Sequence, residues 1–68
     1  MGYVIYLSGL GYYAGKTYIH QGEMFAIAEN AINMPKKVYK NKKVAENVAL
    51  KLYQRCSNVV EYEVCEES

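Results

Sequence analysis

Only one stretch of this chain has the spacing of a long amphipathic helix, and one helix covers only one side of a sheet. From about Lys42 to Cys56, the residues Val44, Val48, Leu52 and Cys56, joined by Ala45, Ala49 and Tyr53, form a continuous apolar stripe at three- and four-residue steps. Asn41 precedes the stripe and is of the type that caps a helix start, because its side-chain oxygen accepts from first-turn amides. Lys43, Asn47 and Gln54 fall on the opposite face, and so does Leu50, which is therefore expected to point outward. Ser57-Asn58 ends the helix.

The rest of the chain reads as strands. Tyr3-Val4-Ile5-Tyr6-Leu7 is β-branched or aromatic almost throughout, with Tyr3, Ile5 and Leu7 on one face and Val4 and Tyr6 on the other. Ser8 to Gly11 is a glycine-rich turn, with Gly9 and Gly11 placed to supply positive φ, and Tyr12 to Ile19 returns as a second strand. Gly15 in the middle of that strand predicts a bulge or a close backbone approach. A turn at His20–Glu23 leads to a third short strand, Met24–Ile27. Ala28 to Met34 is expected to make one helical turn that stops before Pro35. Val59 to Cys65 alternates as a last strand, with Val60, Tyr62 and Val64 on one face. These parts predict an α+β fold: a small antiparallel sheet of three to four strands with one amphipathic helix packed on one face. With 68 residues the chain is one domain, residues 1–68.

A single helix leaves the second sheet face uncovered, and the chain is rich in a side chain suited to an uncovered face. It has eight tyrosines, one phenylalanine and no tryptophan. Tyrosine pairs a rigid apolar ring with a polar tip, a combination enriched at contact surfaces. Tyr12 and Tyr13 are adjacent on a strand, so one of them must point away from the helix. Tyr6, Tyr12, Tyr13 and Tyr18, flanked by Lys16, are the expected partner-binding patch, and Leu50 is a second exposed apolar candidate.

Charge is lopsided along the chain. Lys36, Lys37, Lys40, Lys42 and Lys43 lie in KKVYKNKK, whereas Glu61, Glu63, Glu66 and Glu67 crowd the last eight residues. Lysines interleaved with Tyr39 fit a groove that follows a phosphate backbone while a base stacks on the ring, so Lys36, Lys37, Tyr39, Lys40, Lys42 and Lys43 form a candidate nucleic-acid site. The opposite charge of the tail also allows the two segments to neutralise one another, within one copy or between copies. A single arginine argues against sequence-specific base reading, which leans on bidentate guanidinium contacts.

Catalytic and metal chemistry find little to work with. The chain has no Asp, and His20 stands beside a turn glycine with no cysteine or second histidine near it. Cys56 and Cys65 lack the CxxC spacing of a zinc site, and no second pair accompanies them. The run Gly9 to Thr17 resembles a phosphate-binding loop only at first sight. Counting back from Gly15, the required first glycine falls on Leu10, and Lys16-Thr17 leads into Tyr18-Ile19 and not into a helix. No catalytic residue, metal ligand or cofactor is expected. MGYVIYL has no basic region and no apolar run long enough for a signal peptide or membrane span, so no membrane association is expected.

The hairpin YVIYLSGLGYYAGKTYI and the later run AENAINMPKKVYKNKKVAENVALKL together resemble the small orphan proteins of bacteriophages and other mobile elements of Gram-positive bacteria. That resemblance implies a non-enzymatic inhibitor of the anti-CRISPR or other anti-defence type in a bacterial host, and the lack of a signal pattern in MGYVIYL sets the expectation of a cytoplasmic location with both thiols reduced. The expected function is binding of a bacterial protein through the tyrosine-rich surface. The alternatives are a nucleic-acid-binding module built on the lysine segment and a homodimer whose contact surface is turned on itself.

Overall fold

In the computed structural model, which describes residues 2–29 and 35–67, the elements run β1 (Gly2–Leu7), β2 (Gly11–His20), β3 (Glu23–Ala28), α1 (Lys42–Arg55) and β4 (Tyr62–Glu67). The four strands form an antiparallel sheet in the order β3-β2-β1-β4, and α1 packs against β1 and β4 on one face. This is the α+β architecture expected from the sequence. The expected helical turn over Ala28 to Met34 falls mostly outside the described residues, and Ala28 itself closes β3.

Two alanines let the layers approach closely. Ala45 and Ala49 have no exposed surface, and Ile5 and Leu7 of β1 are likewise fully covered. Leu52, Cys56, Tyr13, Ala26 and Val59 complete the core, with Tyr3, Leu10, Met24, Tyr39, Val48 and Val64 packed around it. The apolar stripe on the helix is narrower than its sequence suggests. Val44 is 48% exposed and Tyr53 50%. At about 100° per residue these two sit on opposite flanks, Val44 roughly 120° and Tyr53 roughly 60° from the line midway between Ala45 and Ala49, where the helix surface curves away from a flat sheet. Asn41 caps the helix as expected: its Oδ1 accepts from the amides of Lys43 at 2.8 Å and Val44 at 3.4 Å.

The lysine-rich segment is part of the sheet. β1 and β2 pair only at Tyr6↔Tyr12 and Leu7↔Gly11, next to the turn. Beyond that point the two strands diverge, and residues 37–39 lie in the gap. The Lys37 amide donates to the Tyr13 carbonyl at 2.8 Å; Tyr3 and Tyr39 exchange both backbone bonds, at 2.7 and 2.8 Å. Gly15 makes this possible. At φ +85° it forms the bulge between Tyr13 and Lys16, and a Cβ there would meet the Lys37 side chain at 3.3 Å.

The final strand starts later than its alternation predicts. β1 runs out of partners once Leu7 has met Tyr62, and the Ser8 amide donates to the Glu61 carbonyl beyond that at 3.1 Å. Val59 therefore turns into the core from a loop, and Val60 is exposed. At the opposite edge, β3 is blocked. The Asn58 side chain accepts from the Ala26 amide and donates to the Ala26 carbonyl, both at 3.0 Å, and the Ser57 amide donates to the Met24 carbonyl at 2.8 Å. One amide side chain thus imitates a further strand, satisfying groups that would otherwise template aggregation.

Two sets of substitutions test this packing by thermal unfolding. Leu52→Ala should cost about 2–4 kcal/mol, Val48→Ala about 1 kcal/mol and Val44→Ala almost nothing, the order set by burial. Equal losses at Val44 and Leu52 would place the helix in a different rotation. Asn58→Ala should cost about 1–3 kcal/mol, because it strands the Ala26 amide in a partly buried position. An unchanged melting temperature would mean that this edge does not need its cap.

Candidate functional site

Strand register decides which side chains share the face opposite α1. Ile5, Leu7 and Val64 point into the core, so their alternates Val4, Tyr6, Glu63 and Cys65 lie on the other side, where Val4 is itself buried and Tyr6 exposed. Tyr12 pairs with Tyr6 and joins that face; Tyr13 faces α1 and is 6% exposed. Tyr13 is thus a core residue and leaves the expected partner-binding patch. Desolvation by burial, together with the nearby Tyr39 and Cys56, raises its hydroxyl above the usual tyrosine range.

The remaining tyrosines of the expected patch do not form one surface. Tyr6 and Tyr12 pack edge to face, with ring centres 5.3 Å apart. Tyr18 lies further along β2, past the bulge and beyond the point where β1 and β2 part. It stacks on its cross-strand partner Phe25 at 5.3 Å, with Lys16 and Ile27 on the same side. The expectation that Tyr18 lies near Tyr6 fails on register: the turn sets Tyr12 opposite Tyr6, and Tyr18 lies six residues further along β2, roughly 20 Å away along the strand. Leu50 is exposed as expected, but it sits on α1, in the layer opposite the tyrosine face. Tyr6 and Tyr18 remain 40% and 50% exposed.

The candidate nucleic-acid residues also separate. Lys36 reaches back over the open face, with its Nζ 2.7 Å from Glu67 and 5.0 Å from the centre of the Tyr12 ring. The hydrogen bond to Glu67 holds its ammonium above the usual lysine range. The acidic tail and the basic segment therefore do neutralise each other at this point, within one copy. Tyr39 is pinned at both backbone groups and packed against the core, and burial raises its hydroxyl too. Its ring, with Lys37 Nζ 5.9 Å from the centre, is no free platform for a base. Lys40, Lys42 and Lys43 stay exposed at the entrance to α1.

Beside the first hairpin turn, the open face holds a shallow depression of about 370 Å³. It is lined by Tyr6, Gly9, Leu10, Gly11, Tyr12 and Glu29. Gly9 and Gly11 adopt φ of 80° and 117°, so the turn presents bare backbone to this hollow, the positive angles being accessible to glycine. Glu29 follows directly on β3, and Glu63 is the cross-strand neighbour of Tyr6. Neither glutamate stands out in the sequence as a site residue. Both arrive through strand pairing, which brings residues distant along the chain side by side. Phe25, which completes the second aromatic cluster, was equally unmarked.

Among the described residues no helix is long and apolar enough to cross a membrane. Comparison with protein-family models, curated protein sequences and solved structures returned no match to this chain.

Cys56 and Cys65 are free thiols, and burial raises both above the usual range, with the hydrogen bond to Glu63 adding to the effect at Cys65. A raised thiol pKa keeps the reactive thiolate scarce at neutral pH. In the folded protein at pH 7, iodoacetamide should modify Cys65 more slowly than free cysteine, and Cys56, in the core, more slowly still. Mass spectrometry over time checks the order. Faster reaction at Cys56 would contradict its place under α1.

Proposed function

We propose that this chain works by binding another protein through the sheet face that α1 leaves uncovered. The observation that carries the reading is the arrangement of rings on that face, with Tyr6 and Tyr18 exposed and Tyr12 and Phe25 half-buried beside them. The Tyr6–Tyr12 pair and the Tyr18–Phe25 stack are held in fixed geometry by backbone pairing. Rigid tyrosines cost little conformational entropy to bury, which is why they recur as energetic anchors of interfaces. A face of this kind suits a stoichiometric inhibitor or adaptor. Blocking a host or defence protein of a bacterium is the version implied by the sequence resemblance to phage-encoded proteins.

The lysine segment supports nucleic-acid binding less well. Its aromatic residue packs inward, one lysine is paired with Glu67, and the tyrosine face carries Glu29 and Glu63, which repel phosphate. Lys40, Lys42 and Lys43 still offer a basic patch. Oligonucleotide binding through it would weaken log-linearly with salt.

The test uses the full chain as bait in a bacterial lysate, with Tyr6→Ala and Tyr18→Ala variants alongside and captured proteins identified by mass spectrometry. A specific partner should be lost or weakened by an affinity change of about 2 kcal/mol in at least one variant, with the melting temperature held. A partner retained equally by both variants, or reversal of Lys40, Lys42 and Lys43 to Glu as the only change that abolishes binding, would overturn the assignment of this face.

A further inference from the structure

The depression beside the Tyr6–Tyr12 pair has chemistry more specific than an aromatic patch. Two rings meet at 5.3 Å with an interplanar angle of 70°, and Gly9, Leu10 and Gly11 of the turn, with Glu29, complete the walls. Glu63 borders Tyr6 in register on the side away from Tyr12. The cation found here is Lys36, and it is committed, with its ammonium on Glu67 and over the Tyr12 ring. Lys36 is near enough to Glu29 to feel its charge, but among the described residues neither Glu29 nor Glu63 makes an ion-pair contact of its own. This part of the face therefore carries an excess of negative charge next to electron-rich rings. The position of Lys36 also shows that one of these rings accepts a cation from within the molecule.

We infer that this depression receives a basic side chain, specifically an arginine, from the protein that docks on the open face. The inference rests on the protein-binding reading above and names the chemistry of the partner. An apolar side chain entering the hollow would desolvate Glu29 with nothing to offset the loss. A phosphate or carboxylate would face Glu29 and Glu63 directly. A guanidinium satisfies both elements at once, because its plane stacks on a tyrosine ring while its fork donates to a carboxylate. Lysine offers a point charge without the planar fit, so arginine is favoured.

The probe is the acetylated and amidated pentapeptide Gly-Arg-Gly-Arg-Gly, titrated into the isotope-labelled full chain and followed by amide chemical shifts. Its norleucine counterpart serves as control. The expected result is a set of saturable shifts at Tyr6, Gly9, Leu10, Gly11, Tyr12 and Glu29, weakened by added salt and absent with norleucine. Glu29→Gln, with an unchanged melting temperature, should weaken the arginine peptide several-fold. Equal response to norleucine, shifts centred elsewhere, no shifts at all, or undiminished binding to Glu29→Gln would each overturn the inference. Its failure is distinguishable from failure of the parent reading. If Tyr6→Ala or Tyr18→Ala releases the captured partner while Glu29→Gln retains it and the arginine peptide moves nothing, the face still binds protein, but not through a cation.

Discussion

The backbone pair between Tyr3 and Tyr39 holds the rest of the molecule in its arrangement. It ties the segment after Pro35 to the first strand, in the gap where β1 and β2 part. From there Asn41 is in position to cap α1, and the helix sets off across β1 and β4 with Ala45 and Ala49 against the sheet. The same insertion delivers Lys36 to the opposite face, where it meets Tyr12 and Glu67. A run of lysines that would ordinarily be a solvated loop thus spends its backbone inside the sheet and sends side chains to separate surfaces.

That insertion is affordable because it satisfies hydrogen bonds that the splayed hairpin leaves open. Buried amides and carbonyls are almost always paired, and Tyr13 and Tyr3 find their partners in residues 37–39. The bulge at Gly15 turns β2 away and makes room. The consequence for function is a divided aromatic surface. Tyr6 and Tyr12 stay with β1 and β4, under the influence of the acidic tail, while Tyr18 and Phe25 travel with the β2–β3 hairpin. A partner engaging both clusters has to span the bend between them.

The electrostatics of the open face follow from the same pairing. Because β4 runs beside β1, Glu63 and Glu67 arrive next to Tyr6 and Gly2. The tail, so acidic in sequence, becomes one wall of the aromatic face. The lysines that look like a nucleic-acid stripe lose their ring to the core and one of their charges to an ion pair. Neither effect depends on a change in any residue's nature; both come from where the strands bring it.

Local pattern was enough to predict the architecture, because a helical stripe, strand alternation and turn glycines each report short-range preferences. Asn41 as cap, Gly9 and Gly11 at positive φ, the bulge at Gly15 and the outward Leu50 all belong to this class, since each depends on the geometry of a few neighbouring residues. The misjudged features are all non-local. Val44 and Tyr53 lie at the margins of a stripe whose usable width is set by the sheet beneath it. Tyr13 was one of two adjacent rings whose sides alternation distinguishes but cannot assign to core or solvent. Tyr18 is separated from Tyr6 because the pairing register sets Tyr12, six residues earlier on β2, opposite Tyr6. Glu29, Glu63 and Glu67 reach the candidate site through strand order and register. Those are decided only when the whole chain buries its apolar surface and satisfies its backbone at once.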